Sequence, residues 1–143
     1  MGGMNGESSG KGIRSFRDLE VYRNAFDSAM EVFQQTKAFP REEVYSLTSQ
    51  IRRSSRSVAL NIAEAWRKRR YEAAFVAKLS DAESEAAETQ VSIEFAVKCG
   101  YLPRGDAAKL YRKYERLLGS LVGMIHHSDR WIIRDSKSAQ GAE

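Results

Sequence analysis

Only one cysteine, Cys99, and two prolines, Pro40 and Pro103, occur in the 143 residues. A single thiol excludes an intrachain disulfide framework and fits a reducing, cytoplasmic compartment. Two prolines leave long stretches without a helix breaker. Histidine is equally scarce: His126 and His127 are adjacent, so on a helix they point about 100° apart. No Glu-x-x-His occurs, which removes the ligand set of a di-iron bundle. No apolar run approaches the roughly 20 residues of a membrane helix, and no basic-then-apolar signal peptide is seen. A Gly-rich phosphate loop and a nucleophile elbow are missing as well. Cys99 stands one residue before Gly100, at a helix end whose dipole disfavours a thiolate. These absences point to a non-enzymatic protein with no catalytic residues, metal, cofactor, small-molecule substrate or membrane partner.

What is present suits one packed domain. Hydrophobic residues make up 42% of the chain and aromatics 10%, enough for a core and too many for wholesale disorder. A net charge of +4 permits nucleic-acid binding without demanding it. The distribution says more than the sum. Over residues 46–70 the cations are Arg52, Arg53, Arg56, Arg67, Lys68, Arg69 and Arg70, against Glu64 alone. Over residues 71–99 six acids (Glu72, Asp81, Glu83, Glu85, Glu88, Glu94) face Lys78 and Lys98. Charge is segregated by element.

Residues 1–13 are Gly/Ser-rich and aperiodic, the pattern of a flexible leader. Apolar residues then recur at steps of 3 and 4, predicting four helices near 15–37, 43–68, 71–99 and 104–128. The expected stripes are Leu19, Tyr22, Phe26, Ala29 and Phe33; then Leu47, Ile51, Val58, Ile62 and Trp66. The third runs through Phe75, Leu79, Ala82, Ala86 and Ile93, the fourth through Tyr111, Tyr114, Leu118, Leu121 and Ile125. Ser15 and Asp18 are candidate caps for the first; Glu42 and Glu43, or Ser46, for the second. Pro40 and the pair Gly100 and Pro103 mark stops. Short connections favour antiparallel neighbours, so the expected fold is an all-α, up-down-up-down four-helix bundle over residues 14–128. Residues 129–143 form a tail whose Trp131, Ile132 and Ile133 have two places to dock, the bundle or a neighbouring molecule.

Two polar features stand out on the second segment. Gln50, Arg53, Ser57, Asn61 and Glu64 make a stripe beside the apolar one, and Glu85 and Glu88 on the third segment lie near its apolar stripe. Charges in such places call for partners; Arg53, Arg52 and Arg56 are the nearest candidates, through two-pronged guanidinium hydrogen bonds. The second feature is the run Arg67, Lys68, Arg69 and Arg70, with Arg52 and Arg56 further up the helix and Trp66 and Tyr71 beside it for base stacking.

The stretches "FRDLEVYRNAFD", "FPREEVYSLTSQIRRSSRSVALNIAEA", "KLSDAESEAAETQ" and "CGYL" resemble a four-helix-bundle family first met as reading frames within intervening sequences of bacterial 23S ribosomal RNA genes. The resemblance spans about residues 16–125. Its specific motif is Ser-x-x-x-Asn-Ile-Ala-Glu at 57–64, supported by "EAAE" at 85–88; Ala65 stands where the family usually has glycine. The resemblance implies a ring-like homo-oligomer, a pentamer, and a distant similarity to the accessory protein of diversity-generating retroelements, which works with nucleic acid through a basic surface.

Two functions of different class follow. One is an accessory factor that binds RNA or DNA through Arg52, Arg56, Arg67, Lys68, Arg69 and Arg70. The other is an oligomeric scaffold for proteins, with Gln50, Arg53, Ser57, Asn61, Glu64, Glu85 and Glu88 forming a polar interface that fixes register.

Overall fold

The computed structural model describes residues 12–134; the ends of the leader and tail expected from the sequence lie outside them. Four long helices follow one another: α1, Glu20–Thr36; α2, Leu47–Arg67; α3, Glu72–Lys98; and α4, Arg104–His126. Short 3-10 turns at Phe16–Asp18, Arg41–Glu43 and Ser128–Arg130 complete the chain, and no strand occurs among the described residues. The helices form a four-helix bundle in which α1 packs on α2 and α4, and α3 on α2 and α4.

Helix boundaries follow from local chemistry. Ser15 and Asp18 form a reciprocal capping box, but around the 3-10 turn at Phe16–Asp18. That turn takes up the residues expected to open the first helix, so α1 starts later, at Glu20. Ser46 precedes α2 yet makes no side-chain cap. Its hydroxyl donates to Glu43 at 2.6 Å, and Glu43 accepts the Leu47 N–H at 3.2 Å. The acid of "PREE" therefore caps α2 from outside the helix. The other oxygen of Glu43 accepts the Tyr101 hydroxyl at 2.8 Å, tying the start of α2 to the turn between α3 and α4. That turn is held by Gly100 at φ +79°, with the Tyr101 N–H reaching back to the Ala96 carbonyl at 2.8 Å. This is the glycine-dependent C-terminal wrap that "CGYL" encodes.

The core matches expectation on α2 and α3: Leu47, Ile51, Val58, Ile62 and Trp66 are buried against Phe75, Leu79, Ala82, Ala86 and Ile93. At its centre the Ser54 and Thr89 hydroxyls meet at 2.8 Å, one donating to the other while the acceptor of that bond donates to a carbonyl of its own helix, Ile51 for Ser54 or Glu85 for Thr89. The buried polar pair is thereby satisfied. On α4 the buried line is Leu110, Tyr114, Leu117, Leu121 and Met124, with Tyr111, Leu118 and Ile125 half-buried at its flank.

The first helix departs from its expected stripe. Its inward residues are Val21, Ala25, Ala29 and Val32. Tyr22 and Phe33 are only half-buried and Phe26 is exposed. Both sets repeat at steps of 3 and 4, so spacing alone does not choose between them. Close packing does: small residues let α1 approach its neighbours, and the rings are pushed to the side.

Candidate nucleic-acid interface

The polar stripe of α2 lies on the surface between α2 and α3. Arg53 bridges to Glu85 at 3.4 Å and forms a second ion pair with Glu88. Glu64 instead pairs with Lys78 of α3, at 3.2 Å. The sequence pointed to Arg52, Arg53 and Arg56 as partners of these acids, and only Arg53 serves. The Glu64 side chain is 56% exposed, so within one chain its loss strands no buried cation, and a surface pair of this kind is worth about 0–1 kcal/mol. Ser57 and Asn61 are half-buried, the Asn61 amide donating to the Ser57 carbonyl at 2.9 Å, while Gln50 is exposed. Ala65 is buried within continuous helix, so no turn interrupts α2 there.

The basic run straddles the end of α2, close to the boundary expected near residue 68. Helix α2 ends at Arg67, and Lys68, Arg69 and Arg70 form the turn into α3. Arg69 has structural work. Its guanidinium lies 3.4 Å from the centroid of the Trp66 ring. Its Nε donates to the Trp66 carbonyl at 2.8 Å, satisfying one orphan acceptor of the helix end, and a second nitrogen reaches the Trp131 carbonyl at 3.4 Å. The Ile133 N–H returns a bond to the Arg69 carbonyl at 2.9 Å, and Ser128 donates to Glu72 at 2.6 Å. Trp131 is consequently buried on the bundle. Burial and the Arg67 charge both press the Arg69 pKa downward, though a guanidinium stays charged at neutral pH. Arg69 and Trp66 thus leave the set available to a ligand. Arg67, Lys68, Arg70 and Tyr71 remain exposed.

Arg52 and Arg56 gather on a ring of α1, a contact that residue spacing does not reveal. Both guanidinium carbons lie over the Phe33 ring of α1, at 4.8 and 6.0 Å from its centroid, and the Lys37 ammonium lies 4.9 Å away. The Arg52 Nε also donates to the Thr36 hydroxyl at 2.8 Å. Among the described residues no carboxylate forms an ion pair with Lys37, Arg52 or Arg56. Ring contact orders three like charges without neutralising them. A shallow depression of about 400 Å³ on the outer face of α2 is lined by Val44, Arg52, Arg53, Arg56 and Leu60.

At about 100° per residue, Arg52, Arg56 and Arg67 fall within an arc of about 60° and extend along about 22 Å of helix. The polar stripe centres about 110° further round, toward α3. The basic and polar faces of α2 are therefore neighbours, not one surface. Phe33 and Lys37 were missed because Phe33 read as core. The usable signal was Lys37 at i+4 from an aromatic, opposite two arginines of the next helix.

A larger groove of about 720 Å³ opens between α1 and α4, walled by Asn24, Ser28, Gly119 and Gly123 and closed at one end by Trp131. Among the described residues no cluster of three His, Cys, Asp or Glu side chains could hold a metal ion, and no helix is long and apolar enough to cross a membrane.

None of the curated proteins matches the chain. Among solved structures it is similar to a protein with unknown function from the S23 ribosomal protein family of Bacteroides thetaiotaomicron VPI-5482. The two are 25% identical with a TM-score of 0.67, over 73% of this chain and 97% of that one. Residues 17–123 match the description "23S rRNA-intervening sequence protein". That span holds all four helices apart from the last residues of α4, and with them the motifs at 57–64 and 85–88. The chain belongs to the 23S rRNA-intervening sequence protein family.

Proposed function

We propose that this protein is a non-enzymatic, cytoplasmic accessory factor that binds nucleic acid through the basic face shared by α1 and α2. One observation carries the reading. Lys37, Arg52 and Arg56 converge on Phe33 with no acidic partner among the described residues. Clustered cations repel one another, and an incoming polyanion relieves that repulsion while releasing its own counterions. Arg67, exposed on the same face of α2, extends the site to the scale of a chain of phosphates.

In this reading the bundle runs up-down-up-down with antiparallel neighbours. The ion pairs support it, since Arg53 meets Glu85 and Glu88 whereas Glu64, further along α2, meets the earlier Lys78. The chain acts as a homo-oligomer, a pentamer as the family resemblance implies. Gln50, Arg53, Ser57, Asn61, Glu64, Glu85 and Glu88 form a self-contained polar face for subunit contact, leaving the basic face free. A ring would repeat each exposed cation once per subunit and multiply weak contacts.

The α1–α4 groove favours a second reading, a scaffold that docks protein, because its glycine-lined wall leaves room for a helix. Titration of labelled RNA and DNA across a salt series separates the two. Affinity falling steeply with salt supports the first reading. No salt-dependent binding to either nucleic acid refutes it.

A further inference from the structure

We infer that the α1–α2 face takes unpaired nucleotides, stacking bases on Phe26 while Lys37, Arg52 and Arg56 hold the phosphates. This rests on the nucleic-acid reading above and adds the strandedness of the partner. At about 100° per residue Phe26, Met30 and Phe33 of α1, with Lys37 continuing the turn at its C-cap, fall within an arc of about 60°. Phe26 is 48% exposed and Met30 45%, while Val21, Ala25 and Val32 fill the core. Phe26 also continues an aromatic ladder: its ring centroid lies 6.1 Å from that of Tyr22, which lies 4.8 Å from Phe16 in edge contact. Leu60, 62% exposed, presents a further apolar surface from α2.

The ladder ends at Phe26, about two helical turns from the three-cation cluster at Phe33 and on the same face of α1. Large rings beside ordered guanidinium groups are the complement of a strand whose bases are exposed. A duplex keeps its bases stacked inside and offers such a face only phosphates, for which the rings have no use. A protein partner would cover the apolar stripe but leave Lys37, Arg52 and Arg56 without acids unless it brought them.

The test uses the full chain with short fluorescein-labelled oligouridine and oligodeoxythymidine. An abasic strand of equal length and an RNA duplex serve as comparisons. The parent should prefer both base-bearing single strands over the abasic strand and the duplex. Phe26→Ala should weaken binding to the base-bearing strands about tenfold, from the loss of one stacking platform. It should leave the abasic strand unaffected, and Phe26→Tyr should restore the difference. Equal affinity of the parent for base-bearing and abasic strands overturns this inference, needs no variant, and leaves the nucleic-acid reading standing. No binding to any strand overturns both. If Phe26→Ala changes the sedimentation coefficient and not the base-dependent affinity, the face is a subunit contact and the inference fails.

Discussion

Replacing Arg69 by alanine should destabilise the protein, although Arg69 sits in what looks like a solvent-facing basic run. The side chain holds three things at once: the Trp66 ring, the last turn of α2 through the Trp66 carbonyl, and the segment around Trp131. A partly desolvated cation over an indole contributes about 1 kcal/mol. The charged hydrogen bond to the Trp66 carbonyl contributes about another 1–1.5 kcal/mol, discounted because water can take its place. The longer contact to Trp131 is left out of the sum. A loss of about 2 kcal/mol should lower Tm by about 6–8 °C for a domain of this size. The chain's two tryptophans, Trp66 and Trp131, both belong to this cluster, so fluorescence reports on it directly. Urea unfolding followed by tryptophan emission should show a lower midpoint and, before unfolding, a red shift as Trp131 meets water. Arg70→Ala, at an exposed neighbour, should show neither. If Arg69→Ala and Arg70→Ala unfold alike and emit alike, the latch described here is wrong.

Two further outcomes follow from the same contacts. Glu64→Ala should cost the dissociated subunit no more than about 1 kcal/mol in chemical denaturation, since within one chain Glu64 and Lys78 form a surface pair. In the assembled protein, where the proposed subunit contact covers that pair, the loss should be larger and grow with protein concentration, and an equally small loss at every concentration would refute that contact. The Glu43 carboxylate is held below its ordinary value of 4.5 by hydrogen bonds from Ser46, Tyr101 and the Leu47 amide. The unfolded chain then takes up this proton at a higher pH than the folded one. The stabilisation should be fully present above about pH 4.5 and fade as pH falls through the lower folded value. Denaturation at stepwise lower pH should show Glu43→Gln lacking that part of the decline, and an identical decline in parent and variant would refute the assignment.

Most of the bundle was legible because the apolar stripes of α2 and α3 repeat regularly over many turns. Ile51, Val58 and Ile62, or Leu79, Ala86 and Ile93, hold one face throughout, even though α3 also leaves Val91 and Phe95 exposed on another. The first helix carries two stripes one residue apart, an aliphatic one through Val21, Ala25 and Val32 and an aromatic one through Tyr22, Phe26 and Phe33. Choosing the larger side chains as core was reasonable by hydrophobicity and failed by packing, because a close helix pair admits alanine and valine more readily than rings. That one inversion also hid the site. Arg52 and Arg56 were recognisable as cations on a helix face, but their shared platform on Phe33 required knowing which way α1 turned. The opposite error affected Arg69, where four consecutive basic residues read as one solvent-facing group. Nothing in the run itself marks the residue that folds back onto Trp66. Glu43 was a candidate for the start of α2 and does cap it, but its grip on Tyr101 in the turn before α4 joins segments far apart in sequence, where periodicity carries no information.

The most direct test of the central claim is a pair of charge reversals in the full chain, Arg52→Glu with Arg56→Glu against Arg67→Glu with Arg70→Glu, each titrated with labelled single-stranded RNA at several salt concentrations. If the cluster on Phe33 is the principal binding site, the first pair should abolish salt-dependent binding while circular dichroism and oligomeric state stay as in the parent. The second pair should weaken binding only in part. Parent-like affinity and salt slope in the Arg52 and Arg56 variant would contradict the account.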